Sequence, residues 1–92
     1  MWSLGKILYL LDQHHQRATY GAVGQLVGRP PLFLMQGRDR SHRHSWIVSQ
    51  ETILPSGYGE EDMHPALRQH ATVLRSGDEL EFWLRSQRPS AP

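Results

Sequence analysis

Between Thr19 and Pro31 the chain reads TYGAVGQLVGRPP, and no other stretch restricts the possible folds as much. Thr19 belongs to the residue types that cap helices, and Val23, Leu26 and Val27 supply an inner face. Gly28 is a helix stop, and Pro30-Pro31 cannot continue a helix. The spacing predicts a short helix over residues 20–27. Gly21 and Gly24 weaken that helix by about 1 kcal/mol each relative to alanine. They make sense where another helix or a ligand approaches the backbone closely.

The neighbouring segments extend this pattern. Ser3 caps a first helix to about His14, with Leu4, Ile7, Leu8 and Leu11 on one apolar stripe. Residues 13–17 read as a polar connection. Pro30 and Pro31 suit a first helical turn, which predicts a short third helix over residues 32–38 ending near Gly37. Two short helices before an Arg-rich segment give a helix-turn-helix outline. Residues 45–49 and 52–54 are β-branched and aromatic, with Gln50-Glu51 between them, and predict a hairpin. Asp62 is placed to cap a fourth helix over 63–75, with Ala66, Leu67, His70, Ala71 and Leu74 inward. Ser76-Gly77-Asp78 reads as its stop, and residues 79–84 alternate charged and apolar as in a half-buried strand. The expected fold is α+β, a winged-helix domain over residues 1–84 with a small β element, followed by a disordered tail at 85–92.

Ninety-two residues suffice for one domain with a single modest core and not for two. The opening MWSLGKILYLLDQHH lacks a convincing cleavage site and is expected to be a helix, which leaves a cytoplasmic location as the default. No apolar run is long enough to span a membrane. The chain has no cysteine, which removes disulfides, thiolate zinc sites and any cysteine nucleophile together. The overall net charge of +1 hides an asymmetry, because residues 1–50 carry +4 and residues 51–92 carry −3. Arg29, Arg38, Arg40 and Arg43 lie close together, opposed locally by Asp39 alone. Such a cluster can neutralise several phosphates or be an ordinary solvated loop.

Six histidines invite a metal reading. His14-His15 are adjacent, and His42 and His44 could share one strand face. His64 and His70 fall on different sides of a helix, and no Asp or Glu completes a ligand set. Scattered surface histidines are the expected outcome. No nucleophile signature stands out, and Glu60-Glu61-Asp62 and Asp78-Glu79 sit in solvated turns or caps. Phe33 and Trp46 either stack on bases or fill the core, whereas Tyr20, at a helix start, is expected to be reachable from solvent.

At TYGAVGQLVGRPP the chain resembles the DNA-binding domain of the O6-alkylguanine-DNA alkyltransferases and their non-enzymatic relatives, the alkyltransferase-like proteins. Thr19-Tyr20-Gly21, Val23, Leu26 and Gly28 match the family helix, Pro30 matches its turn, and Gly37 falls in register with a later glycine. IVSQETIL, the GYG at 57–59 and HPALRQHATVLRSGDEL are similar to the strand, pocket and final-helix segments. The resemblance implies DNA contacts from Thr19, Tyr20, Gly21, Arg29, Leu34, Arg38, Arg40 and Arg43, with Leu34 where the family inserts an arginine into the duplex. It places Tyr58 at the alkyl pocket, together with Trp46, for which the core is the competing site. The departures are as informative. His44 stands where the reactive cysteine or its tryptophan replacement belongs, Ser45 replaces the assisting histidine, Trp46 the arginine, and Ser76 a glutamate. Without a thiol there is no alkyl transfer to the protein.

The resemblance thus implies a non-catalytic, monomeric protein that binds double-stranded DNA and senses alkylated guanine, with no cofactor, metal or membrane partner. The alternative is a winged-helix module that has lost DNA binding and engages a protein partner. A third reading is an enzyme of another type around His42, His44 and Tyr58.

Overall fold

The computed structural model describes residues 2–30, 33–35, 37, 38, 40–69 and 72–87. Helix α1, Leu4–His14, starts at Ser3, whose hydroxyl accepts the Lys6 N–H at 3.2 Å, and ends on His15 in the left-handed conformation. Its predicted stripe, Leu4, Ile7, Leu8 and Leu11, is buried. Strand β1, Arg17–Thr19, leads directly into α2, Tyr20–Val27. Thr19 caps α2 through the Ala22 N–H at 3.1 Å, and Gly28 stops it with φ 71°. The buried face of α2 is Ala22, Val23 and Gly24, while Leu26 and Val27 pack at the core margin.

Strand β1 is the centre of a three-stranded sheet. Strands β2, Ile47–Val48, and β3, Val73–Leu74, flank it in the order β2-β1-β3, both parallel to it. Ala18 is the shared register point, opposite Ile47 on one side and Leu74 on the other. The core forms where α1, α2 and α3 (Gly77–Ser86) meet this sheet, around Trp46, Ile47, Leu34, Leu67, Leu80 and Leu84. The described residues therefore form a small α+β domain with three α-helices and a three-stranded parallel sheet.

Several expectations are corrected. The predicted hairpin at 45–54 is absent, because β2 pairs with β1 and the chain beyond it turns. Ser49 N–H donates to Leu54 C=O at 2.9 Å and Ile53 N–H to Ser49 C=O at 2.8 Å, with Ile53 left-handed at φ 60°. The predicted helix at 63–75 is replaced by a 3-10 turn at Leu67–Gln69 and by β3, which the β-branched pair Thr72-Val73 favours. His70 and Ala71, expected on its inner face, lie outside the described residues.

The predicted strand at 79–84 is the middle of α3. Period two and period 3.6 both fit DELEFWL, and the caps decide between them. Ser76 starts this helix, accepting the Glu79 N–H at 3.1 Å, and Asp78 and Glu79 sit in the first turn, where the helix dipole favours them. Leu80 and Leu84 are consequently buried on one face while Phe82 is 76% exposed. Arg85 and Ser86, assigned to the tail, belong to α3, and residues 88–92 lie outside the described residues.

The third helix expected at 32–38 falls partly on undescribed positions. In the described part, Phe33 N–H bonds to Pro30 C=O at 3.0 Å and Arg38 N–H to Met35 C=O at 3.1 Å, the three-residue spacing of tight turns and not of an α-helix.

Candidate functional site

The start of α2 sets one wall of an open groove of about 580 Å³. Tyr20, the first residue of α2, lines it, and its phenol oxygen accepts the Ser56 N–H at 3.1 Å, which fixes the ring against the 54–58 turn. Tyr58 and Asp62 face it from the following segment, and Arg38 and Arg40 from the turn beyond Gly37. Arg40 lies across Gly57, where an added Cβ would meet its Nη2 at 3.4 Å. The Tyr58 phenol is pushed up to about 12, first by burial and next by the nearby Tyr20; Arg40 acts in the opposite direction. It is therefore a neutral hydrogen-bonding group at physiological pH.

Arg38 also borders a second, smaller cleft of about 120 Å³, which Arg43, His44, Tyr9 and Asp12 share. Tyr20, Tyr58, Arg40, Arg38 and Arg43 thus line two clefts that share Arg38, with Asp62 in the larger and Asp12 in the smaller. Among the described residues, no carboxylate forms an ion pair with Arg29, Arg38, Arg40 or Arg43. Arg29, exposed just past Gly28 at the far end of α2, borders neither cleft.

Other expected site residues lie elsewhere. Leu34 is fully buried in the core and presents no surface to a base. Trp46 is also fully buried and borders neither cleft; its Nε1–H donates to Asp12 Oδ1 at 2.8 Å. Thr19 is buried as the α2 cap, and its hydroxyl donates to Arg75 C=O at 3.4 Å. Ser76 is the α3 cap. His44, at the degenerate reactive position, sits in the 3-10 turn His42–His44 and faces the smaller cleft, apart from Tyr20 and Tyr58. The Ser45 hydroxyl is buried, donating to His42 C=O at 2.8 Å and accepting the His64 N–H at 3.1 Å, a bonding pattern that joins two chain segments. Outside its chain neighbours and its own helix backbone, the nearest atom to a Cβ added at Gly21 is Thr19 Oγ1 at 4.0 Å, so tertiary packing does not require glycine there.

A histidine group that sequence spacing did not predict lies beside Trp46, with His15 and His64 on the indole and His42 against His64. His15 stacks on the indole with ring centroids 5.2 Å apart, and His64 tilts against it at 4.8 Å. His64 is 4.7 Å from His15 and 5.8 Å from His42. Burial, then the neighbouring His15, holds His64 below the usual histidine range; Asp12 opposes the shift and His42 adds to it. The three imidazoles come from the end of α1, the turn before β2 and the segment before Leu67, so no local motif marks them. Among the described residues no group of three His, Asp or Glu side chains is arranged to hold a metal ion. No helix among them is long and apolar enough to cross a membrane.

What fold and site define at this point is a small α+β domain with a tyrosine-lined, arginine-rich groove. Comparison of the chain with protein-family models, with curated proteins and with solved structures finds no match in any of the three.

Proposed function

We propose that the protein is a non-catalytic DNA-binding domain of the alkyltransferase-like type, with a winged-helix ancestry, that grips a duplex along the strip from Tyr20 to Arg43. The observation that carries this reading is the continuity of Tyr20, Tyr58, Arg40, Arg38 and Arg43 across two clefts joined at Arg38. Arginines that pair with no carboxylate among the described residues are suited to phosphate oxygens, and the neutral Tyr58 phenol can donate to the same oxygens. The lack of any tight contact above Gly21 is compatible with a close approach to the first turn of α2.

The same geometry shapes the reading. With Leu34 in the core, the resemblance's duplex-inserting position has no side chain to insert, so binding is to backbone rather than to a flipped base. Sensing of alkylated guanine would then need a contact other than insertion. The absence of any cysteine fits a protein that binds without accepting an alkyl group.

Titration of labelled duplex DNA, with and without O6-methylguanine, tests this at two salt concentrations. Three arginine–phosphate contacts predict affinity falling about 40-fold between about 50 and about 200 mM salt. Absence of binding at the lower salt would overturn the proposal. Equal affinity for both duplexes would keep DNA binding and remove lesion sensing.

A further inference from the structure

The two clefts that meet at Arg38 differ sharply in size. The larger, about 580 Å³, is within the range of pockets that hold whole ligands. The smaller, about 120 Å³, has room for roughly four water-sized groups. The four oxygens of a phosphate group match that space, and a nucleoside does not.

The smaller cleft is also closed along one side. Gly5, Leu8, Tyr9 and Asp12 fall at i, i+3, i+4 and i+7 of α1 and make one continuous helix wall, while Arg38, Arg43 and His44 supply the rest of the lining. A strand that follows the larger groove past Arg38 therefore meets the side of α1, where it must end or turn away. Outside its chain neighbours and its own helix backbone, nothing lies within 4 Å of a Cβ added at Gly5. Tertiary packing does not require glycine in this wall, and a larger residue would take up room in the cleft.

The lining is suited to an anion. Arg38 and Arg43 are exposed and form no ion pair with a carboxylate among the described residues. Tyr9 adds a phenol and His44 an imidazole. Asp12 opposes an anion, but its Oδ1 accepts the Trp46 indole N–H at 2.8 Å, and two guanidiniums outnumber it. A guanidinium fork binds phosphate oxygens in pairs. A phosphate monoester offers three such oxygens and a charge of about −1.5 to −2 at pH 7, against two oxygens and a single charge for a phosphodiester inside a strand.

We propose, on the basis of the DNA-binding reading above, that the smaller cleft takes the terminal phosphate monoester of a DNA strand. The domain then seats at strand ends in preference to uninterrupted duplex, with Arg38 bridging the terminal phosphate and the strand in the larger groove.

Fluorescence anisotropy at low salt tests this with a duplex labelled on an internal base. Its ends carry hydroxyls alone, a 5′-phosphate or a 3′-phosphate, and a further duplex is closed by a hairpin loop at each end. At least one phosphorylated end should bind about tenfold more tightly than the hydroxyl end, the gain of a charge-assisted contact. The closed duplex should match the hydroxyl-ended one. Of the two clefts Arg43 borders the smaller and Arg40 the larger. Arg43→Gln should therefore abolish the preference, and Arg40→Gln should weaken all duplexes alike and keep it. Both arginines are exposed, so neither variant disturbs the core. Equal affinity for hydroxyl and phosphorylated ends, a closed duplex that binds as tightly as the phosphorylated one, or a preference unchanged in Arg43→Gln would overturn the proposal and leave DNA binding standing. Failure of every duplex to bind would overturn the DNA-binding reading and this proposal together.

Discussion

Trp46 Nε1 donates to Asp12 Oδ1 at 2.8 Å, and this bond ties the largest buried side chain to the last turn of α1. Asp12→Ala leaves a buried indole N–H without an acceptor, at a cost of about 1–3 kcal/mol. Asp12→Asn retains an oxygen acceptor and should cost less. Urea unfolding of both variants checks the order, and equal losses would show that the hydrogen bond is not the cause.

Gly77 owes its identity to a close approach rather than to its backbone angles. Its N–H donates to Gln25 Oε1 at 2.8 Å, and an added Cβ would stand 2.9 Å from the Gln25 Cβ. Gly77→Ala should therefore destabilise by about 1–3 kcal/mol, although alanine is the better helix former. Because the contact includes Gln25 Cβ, Gln25→Gly in the same chain should recover part of that loss. Additive effects in the double-mutant cycle would refute the clash.

Ile53 occupies the left-handed region at φ 60°, where a β-branched residue is strained. Its carbonyl accepts Arg17 Nη1–H at 3.2 Å, so the turn is held while the side chain packs at the core margin. Glycine ordinarily destabilises more than alanine; here the order should reverse, with Ile53→Gly at least as stable as Ile53→Ala. Thermal melts of the two variants suffice to decide.

Tyr58 makes a contribution to stability that depends on alkaline pH. Its folded value of about 12 lies above the ordinary 10.0, so the unfolded chain loses the proton first. The stabilisation is complete below about pH 10 and is lost as pH rises towards 12. Tyr58→Phe should flatten stability over that interval and remove the step near pH 12 from the absorbance titration.

On the proposed DNA strip, Arg40→Ala with Arg43→Ala should lower the salt dependence of duplex affinity by about two units of slope, equally for all sequences. Arg29→Ala, away from both clefts, should have the smaller effect. Leu34→Ala should cost about 2–5 kcal/mol in stability as a core truncation. An unchanged slope in the double variant would move any DNA contact to another face.

What the sequence made legible was local. Ser3, Thr19 and Gly28 announce their helix ends because capping is a short-range hydrogen-bond requirement, and the α1 stripe repeats often enough to show one period. Ser76 was misread as a stop because its role as a cap depends on Glu79, three residues ahead, being helical. Of the sheet only β2 was legible, inside the strand expected at 45–49, since strands of two or three residues carry no alternation and pair only across long separations. The groove was half visible: Tyr20, Tyr58 and the arginines were singled out separately, but their adjacency depends on turns around Gly37 and Gly57. The group at Trp46 was invisible for a related reason, because His15, His42 and His64 share no periodic element.

Strand β1 has a consequence for how the chain can be divided. Three residues, Arg17–Thr19, are covered on one edge by residues 47–48 and on the other by residues 73–74, so the sheet closes only when nearly the whole chain is present. Distant segments must meet before either strand pair gains support, so formation of the sheet carries the loop-closure cost of non-local pairing. A nascent chain ending before Val73 would leave β1 with an open edge and α2 without α3, and no such fragment should reach a folded state on its own.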